Sequence, residues 1–228
     1  MSGGSWPRAV LFDLDGTLID SAPDIAAAVN ELLKGHGLGP LTYEQIISMI
    51  GNGTKKLTER AFAATSGPLS PPELDERYAE MLVVYGRHLT GATTLLPGAA
   101  EMLSALREKE TGLGVVTNKP QRFIETILDH FDLDGIFGAV IGSDAGVTPK
   151  PAPDMLEAAM KKLGAAPADT VMVGDSTSDV ESARAAGVAS VIRRGGYTHT
   201  PADQLGADVV IDGLGELVGV LASLRPRG

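Results

Sequence analysis

Six short apolar runs, separated by stretches with helical periodicity, leave this chain very few architectures. The runs are AVLFDL (9–14), LGVVT (113–117), FGAVIG (137–142), TVMVG (170–174), VASVIR (188–193) and DVVI (208–211). None alternates cleanly between apolar and polar residues, so each reads as a strand buried on both faces. Between them GAAEMLSALREKE, QRFIETILDHF, PDMLEAAMKKLG and SDVESARAAG place apolar residues three and four apart, the spacing of one helix face. Strands and helices taking turns give the expected fold class: α/β, a doubly wound parallel sheet with helices on both sides.

Residues from about 20 to 90 have another texture. SAPDIAAAVNELLKGHG and PPELDERYAEMLVVYGRHL read as helices, Pro23 sits where a helix starts, Gly35 to Gly39 marks a stop, and no strand stands out. The simplest account is a small α-helical insertion after the first strand. The expected division is therefore 1–19 with 91–228 as the α/β domain and 20–90 as the inserted helical domain. No internal repeat interrupts this reading.

With 43% hydrophobic and 21% charged residues over 228 positions, the chain can bury a substantial core. It has no cysteine, which excludes disulfides, thiolate metal sites and a Cys nucleophile, and fits a cytoplasmic setting. His36, His88, His130 and His199 are scattered and share no metal-ligand spacing. A net charge of -10 argues against a nucleic-acid surface, which needs clustered Lys and Arg. The Ser/Gly-rich start MSGGSWPRAV reads as a frayed end without a secretory leader, and no apolar stretch is long enough to span a membrane. The expectation is an unexported cytoplasmic protein, a monomer or a homodimer.

Ligands of open α/β sheets bind beyond the carboxyl ends of the strands. There the first run ends in Asp13 and Asp15, the second in Thr117, Asn118 and Lys119, and the fourth in Gly174 and Asp175. Asp179 opens the following helix, and Lys150 stands in the loop TPKPAPD. Asp13 and Asp15 share parity, so an extended chain would send both carboxylates to one side. Two like charges that close need a cation, a shared proton or a chemical role. Singly, Asp179 reads as a helix-start charge, Thr117 as a β-former and Lys150 as a solvated loop residue. Their joint placement on one rim is what asks for a function.

The stretches DLDGTL, VVTNK, the Lys of TPKPAPD and GDSTSD, in this order, resemble the four motifs of the haloacid dehalogenase superfamily, and the resemblance spans nearly the whole chain. The insertion after the first strand resembles that superfamily's helical cap. DSAPDIAAAVNELL, IGNGTKKL, VVTNKP and GYTH are similar to the phosphoglycolate phosphatases within it. What this implies is a Mg2+-dependent phosphatase acting on a small phosphorylated metabolite, most of all 2-phosphoglycolate, through an aspartyl phosphate. Asp13 would be the nucleophile, and Asp15 would protonate the leaving alkoxide and then activate water. Asp13, Asp175 and the Asp15 backbone carbonyl would hold the metal, with Asp179 orienting its waters or Lys150. Thr117 and the amides near Asn118 would hold phosphoryl oxygens, and Lys150 would supply charge beside the nucleophile. An all-oxygen carboxylate set without His or Cys suits Mg2+ on chemical grounds as well.

GNGTKKL (51–57) is expected to be a substrate-facing loop of the cap, with Gly53 and Thr54 against the ligand. It lacks P-loop spacing, which disfavours a nucleotide cradle. Lys55 and Lys56 could reach a substrate carboxylate, although solvated helix-start lysines are the plainer reading. Within the superfamily the alternatives are a sugar-phosphate phosphatase or a phosphomutase. Related mutases often carry Arg where this loop has Thr54. A haloalkanoate dehalogenase would leave Asp15 and Asp175 idle. From another class, a phosphate-receiving signalling switch also gathers acidic residues, a Thr and a Lys, but needs no cap. A binding protein without catalysis would have no need of every motif residue.

Overall fold

The computed structural model describes residues 6–198 and 200–224; His199 and the Ser/Gly-rich first five residues lie outside that range. β1 (Ala9–Phe12) leads through a short β2 (Ile19–Asp20) into α1 (Ala22–Gly35), α2 (Tyr43–Ile47), α3 (Thr54–Thr65) and α4 (Pro71–Tyr85). The chain returns through β3 (Thr94–Leu95) to α5 (Ala99–Glu108), β4 (Gly112–Val116), α6 (Gln121–His130) and β5 (Ala139–Ile141). α7 (Asp154–Leu163), β6 (Thr170–Gly174), α8 (Thr177–Ala185), β7 (Ala189–Arg193), β8 (Val209–Ile211) and α9 (Leu217–Ser223) complete it.

All six apolar runs are strands of one parallel sheet in the order β5–β4–β1–β6–β7–β8. β1 is central and fully buried, and its side chains alternate between two layers. Val10 and Phe12 join the cluster that holds Leu103 and Leu106 of α5, Ile124 and Ile127 of α6 and Leu217 of α9. Leu11 faces the opposite layer with Met155 and Leu156 of α7 and Ala183 of α8. Helices thus cover both faces, as an all-parallel sheet requires. After β1 the strands proceed first to one side, through β4 and β5, and then to the other, through β6 to β8. The carboxyl end of β1 is therefore the topological switch point, where such sheets open a crevice.

α1 packs on α4, α2 and α3, and α3 packs on α4. Their apolar faces, including Val29, Leu33, Ile46, Phe62 and Met81, run into the same buried cluster as the sheet layer. The two chain crossings into and out of these helices are stitched together. β2 and β3 pair antiparallel, Ile19 with Leu95 and Asp20 with Thr94. Buried Asp24, in the first turn of α1, accepts hydrogen bonds from the amides of Ala92 and Thr93 and from the Thr93 hydroxyl at 2.7–3.0 Å. A carboxylate at a helix start is favourable on electrostatic grounds. Here it also closes the two-segment connection, which periodicity over two residues could not reveal.

Candidate active site

The sheet ladder of β1 ends at Phe12, one residue before the first acidic side chain. The Asp13 amide still donates to Val173 O at 2.9 Å, and then the chain turns, with Leu14 O accepting from the amides of Thr17, Leu18 and Ile19. Asp13 and Asp15 both border the cleft, but a turn rather than an extended strand brings them there. Gly16 makes that turn at φ +80°, and a Cβ on it would lie 2.6 Å from Asp175 Oδ2. Only glycine allows both the angle and the approach.

The two carboxylates have separate partners. Lys150 Nζ lies 3.1 Å from Asp13 Oδ1 and 2.6 Å from Asp179 Oδ1. Asp15 instead receives Lys119 Nζ at 2.7 and 3.0 Å and the Ser21 hydroxyl at 2.6 Å. Lys119 in turn bonds the Tyr85 hydroxyl at the end of α4, so the acidic pair is already split into two environments. Lys150 and Lys119 are both buried. Burial disfavours their charge, but the adjacent carboxylates outweigh it and raise the pKa of each lysine.

Asp13, Asp175 and Asp179 each offer a carboxylate oxygen, all within 4.8 Å of one another. Burial above all, opposed by Lys150 and reinforced by Asp179, pushes Asp13 up to about 6. Asp175 rises to about 8, again mainly through burial, with the charges of Asp179 and Asp13 adding to it. Carboxyls this crowded are under-neutralised by Lys150 alone, and an all-oxygen set of this kind fits a hard divalent cation. Asp175 is steadied by Thr17 Oγ1 at 3.3 Å and by the Tyr197 amide at 2.7 Å. Asp179 has little capacity to spare. Its Oδ2 accepts from the amides of Asp175 and Ser176 and from the Ser176 hydroxyl, forming a capping box at the start of α8. The helix-start reading and the site reading of Asp179 thus describe one side chain.

Thr117 hydrogen-bonds to Asp13 and, with Asn118, lines the cleft. Asn118 Nδ2 donates to Lys150 O at 2.9 Å, while its buried Oδ1 has no hydrogen-bond partner among the described residues. Gly53 and Thr54 line the opposite wall. Gly53 has φ +84°, and a Cβ there would stand 3.2 Å from Asn118 O, so the helical segment meets the sheet rim at main-chain distance. α3 begins at Thr54, so the loop expected over GNGTKKL is confined to its first residues and the two lysines stand at a helix start. Lys55 and Lys56 point elsewhere: they pair with Asp75 and Glu59 on the exposed surface.

Sequence reasoning assigned no role to Lys119, Ser21, Tyr85, Tyr197, Asn52 or Arg60, although each borders the cleft or bonds a residue that does. Lys119 was visible as a strand-end residue and Tyr197 within GYTH, but Tyr85 looks like a core aromatic of an amphipathic helix. The Tyr197 hydroxyl donates to Asp20 at 2.7 Å and accepts from the amides of Ser21 and Ala22. It ties the Asp175 loop to the entry of the helical segment.

The profile of haloacid dehalogenase-like hydrolases matches residues 10–192. The chain is 38% identical over 202 residues to the phosphoglycolate phosphatase of Caulobacter vibrioides, covering 89% of this chain and 85% of that protein. It is 38% identical over 220 residues to the phosphoglycolate phosphatase of Pseudomonas putida, covering 94% and 80%. Among solved structures, a predicted phosphoglycolate phosphatase from Haemophilus somnus superposes with a TM-score of 0.89 at 31% identity, over 96% of this chain and 99% of that one. The matched span contains the switch-point aspartates, both buried lysines and the α8 capping box, so sequence, topology and site coincide. On these grounds the chain belongs to the haloacid dehalogenase-like hydrolases.

Proposed function

We propose that this phosphatase hydrolyses 2-phosphoglycolate to glycolate and phosphate through an aspartyl phosphate on Asp13, with Mg2+ as its cofactor. The observation that carries the reading is the split of the acidic pair: Asp13 beside Lys150, and Asp15 held by Lys119 and Ser21 on the same cleft. Asp13 attacks phosphorus. As the ester P–O bond breaks, the leaving alkoxide takes a proton from Asp15. Asp15 then accepts a proton from a water that attacks the phosphoryl group, which releases phosphate and restores the Asp13 carboxylate. Such acid and base work requires a group fixed within hydrogen-bonding reach, and Lys119 and Ser21 fix Asp15.

Lys150 and the Thr117 hydroxyl would hold the phosphoryl oxygens beside Asp13, positioning and neutralising charge, the main contributions a protein makes to phosphoryl transfer. Asp13, Asp175 and the Asp15 backbone carbonyl would hold Mg2+, and Asp179 would orient Lys150 and the Asp175 loop. When bound, the ion would neutralise phosphoryl charge that otherwise repels the incoming carboxylate. The cleft encloses about 240 Å³, below the usual range for drug-sized ligands. A small ester suits it better than a nucleotide. Residues 20–90 are taken as a cap over this cleft, with 1–19 and 91–228 as the catalytic domain.

The test is phosphate release from 2-phosphoglycolate, sugar phosphates, nucleotides and an aryl phosphate, with and without Mg2+, alongside Asp13→Asn. The expected result is Mg2+-dependent turnover with the highest kcat/KM for 2-phosphoglycolate, reduced about 10^4-fold or more in Asp13→Asn, as for loss of a catalytic nucleophile. A higher kcat/KM for a sugar phosphate overturns the substrate. Stable phosphorylation of Asp13 without turnover would move the signalling switch ahead.

A further inference from the structure

Besides Lys150, which lies against Asp13, two cations among the described residues line the cleft, and they are treated differently. Lys119 is paired with Asp15, whereas Arg60, two turns into α3, has no carboxylate partner. Its bonds are to neutral acceptors: Nη1 donates to Met49 O at 2.8 Å and Nη2 to Asn52 Oδ1 at 2.7 Å. A guanidinium has five N–H donors, so those bonds hold it in place and leave donors free. Acids are not scarce in this chain, which has 29 Asp and Glu against 19 Lys and Arg. Other cations of the helical segment take carboxylate partners: Lys55 with Asp75 and Lys56 with Glu59 from α3, Arg77 with Glu80 on α4, and Arg87, just past α4, with Glu31.

The surroundings of Arg60 extend toward the reacting end. Asn52, which accepts from Arg60, reaches Ser178 Oγ at 3.4 Å through its Nδ2. Ser178 is next to Asp179 in the first turn of α8. The wall that carries Arg60 is therefore tied directly to the rim that carries Asp175 and Asp179. α3 itself has Gly53 as its N-cap, with no side-chain cap and no acidic residue in its first turn. Its first amides add partial positive charge to the same wall.

We propose that Arg60 is the specificity residue of this cleft, binding the carboxylate of the substrate while the phosphate lies against Asp13. The substrate class is then a short phosphorylated hydroxy acid, selected over neutral phosphate esters of equal size. This rests on the phosphatase reading above and adds the group that recognises the non-phosphate end. A guanidinium suits the task because its planar fork matches a carboxylate in two parallel hydrogen bonds.

The experiment compares 2-phosphoglycolate with 2-hydroxyethyl phosphate, in which a neutral hydroxymethyl group replaces the carboxylate, for wild type, Arg60→Gln and Arg60→Lys. The wild type is expected to prefer 2-phosphoglycolate. Arg60→Gln should lower kcat/KM for that ester by about 10- to 100-fold, chiefly through KM, as for loss of a charged hydrogen bond. It should leave 2-hydroxyethyl phosphate within about two-fold, and Arg60→Lys should recover part of the loss, since a point charge lacks the fork. Equal losses on both esters would overturn the proposal, because they would mean that Arg60 only supports the Met49–Asn52 backbone. A wild-type preference that survives Arg60→Gln overturns it too, and leaves the 2-phosphoglycolate reading standing. A wild type that favours the neutral ester overturns both. Turnover of neither ester, with another phosphate hydrolysed, defeats the 2-phosphoglycolate reading and this proposal together.

Discussion

On the sheet side of the cleft, every charged group named is held by several partners at once. Lys150 is 4% exposed and lies between Asp13 and Asp179, while Asp175 is fastened by Thr17 and the Tyr197 amide. On the helical side, the Gly51–Thr54 loop and Arg60 meet the sheet rim through one main-chain approach at Gly53 and one 3.4 Å contact from Asn52. The densely bonded wall is what phosphoryl chemistry needs, because charges already in place require no rearrangement as the barrier is crossed. The sparsely bonded wall can be altered without disturbing that machinery. The substrate selection proposed for Arg60 would use that wall.

This contrast is most exposed to attack at Lys150. Lys150→Met leaves Asp13 and Asp179 buried without their cation, and removal of one partner from a buried pair costs about 3–5 kcal/mol. Denaturant unfolding should register that loss, and phosphatase activity should fall with it. Unchanged stability would show that the sheet wall is less interdependent than its geometry indicates.

Asp175→Asn sharpens the same point through pH. Asp13 and Asp175 are raised in the folded protein, from 3.8 to about 6 and about 8. A raised carboxyl favours the folded state fully below its unfolded value, and that advantage disappears as pH climbs through the folded value. Chelator-treated wild type should therefore lose melting temperature from pH 4 up to 8. Asp175→Asn should lose less of it between pH 6 and 8, and a divalent cation should flatten the wild-type curve by favouring the ionised carboxylates. Parallel curves for the two proteins in chelator would contradict this.

On the helical wall smaller effects are expected. Gly53→Ala imposes a left-handed backbone on a residue with a Cβ and crowds Asn118 O, a strain of about 1–2 kcal/mol. It should appear as a raised KM with kcat nearly preserved. A collapse of kcat would place this loop among the chemical groups. Smallest of all, Lys55→Ala should leave kcat/KM within about two-fold, since Lys55 is engaged with Asp75 in an exposed pair of little consequence. A large rise in KM would return Lys55 to the substrate.

Much of this architecture was legible in the chain. Strands buried on both faces announce themselves as continuous apolar runs, and each of the six was found within a residue or two of its observed ends. Helices long enough to repeat an apolar stripe, such as α1 and α6, were equally clear. α2, α9 and the β2–β3 pair were not, because five, seven and two residues per element are too few for a period to emerge. The start of α3 within GNGTKKL was legible only through its helix-start lysines, because its N-cap is a glycine, which announces a turn as readily as a helix.

The sequence alone determined the α/β class and the rim on which Asp13, Asp15, Thr117, Lys150, Asp175 and Asp179 stand, because strand-end residues of a parallel sheet converge whatever the loops do. Only the tertiary structure decided who holds whom. Lys119 reaches Asp15 across 104 residues of chain, and Tyr197 reaches Asp20 across 177. Arg60 lines the cleft without a counter-ion among the described residues, while the lysines of its own helix are neutralised on the surface. Local pattern reports which face of an element is buried. Charge pairing between distant elements depends on how they pack.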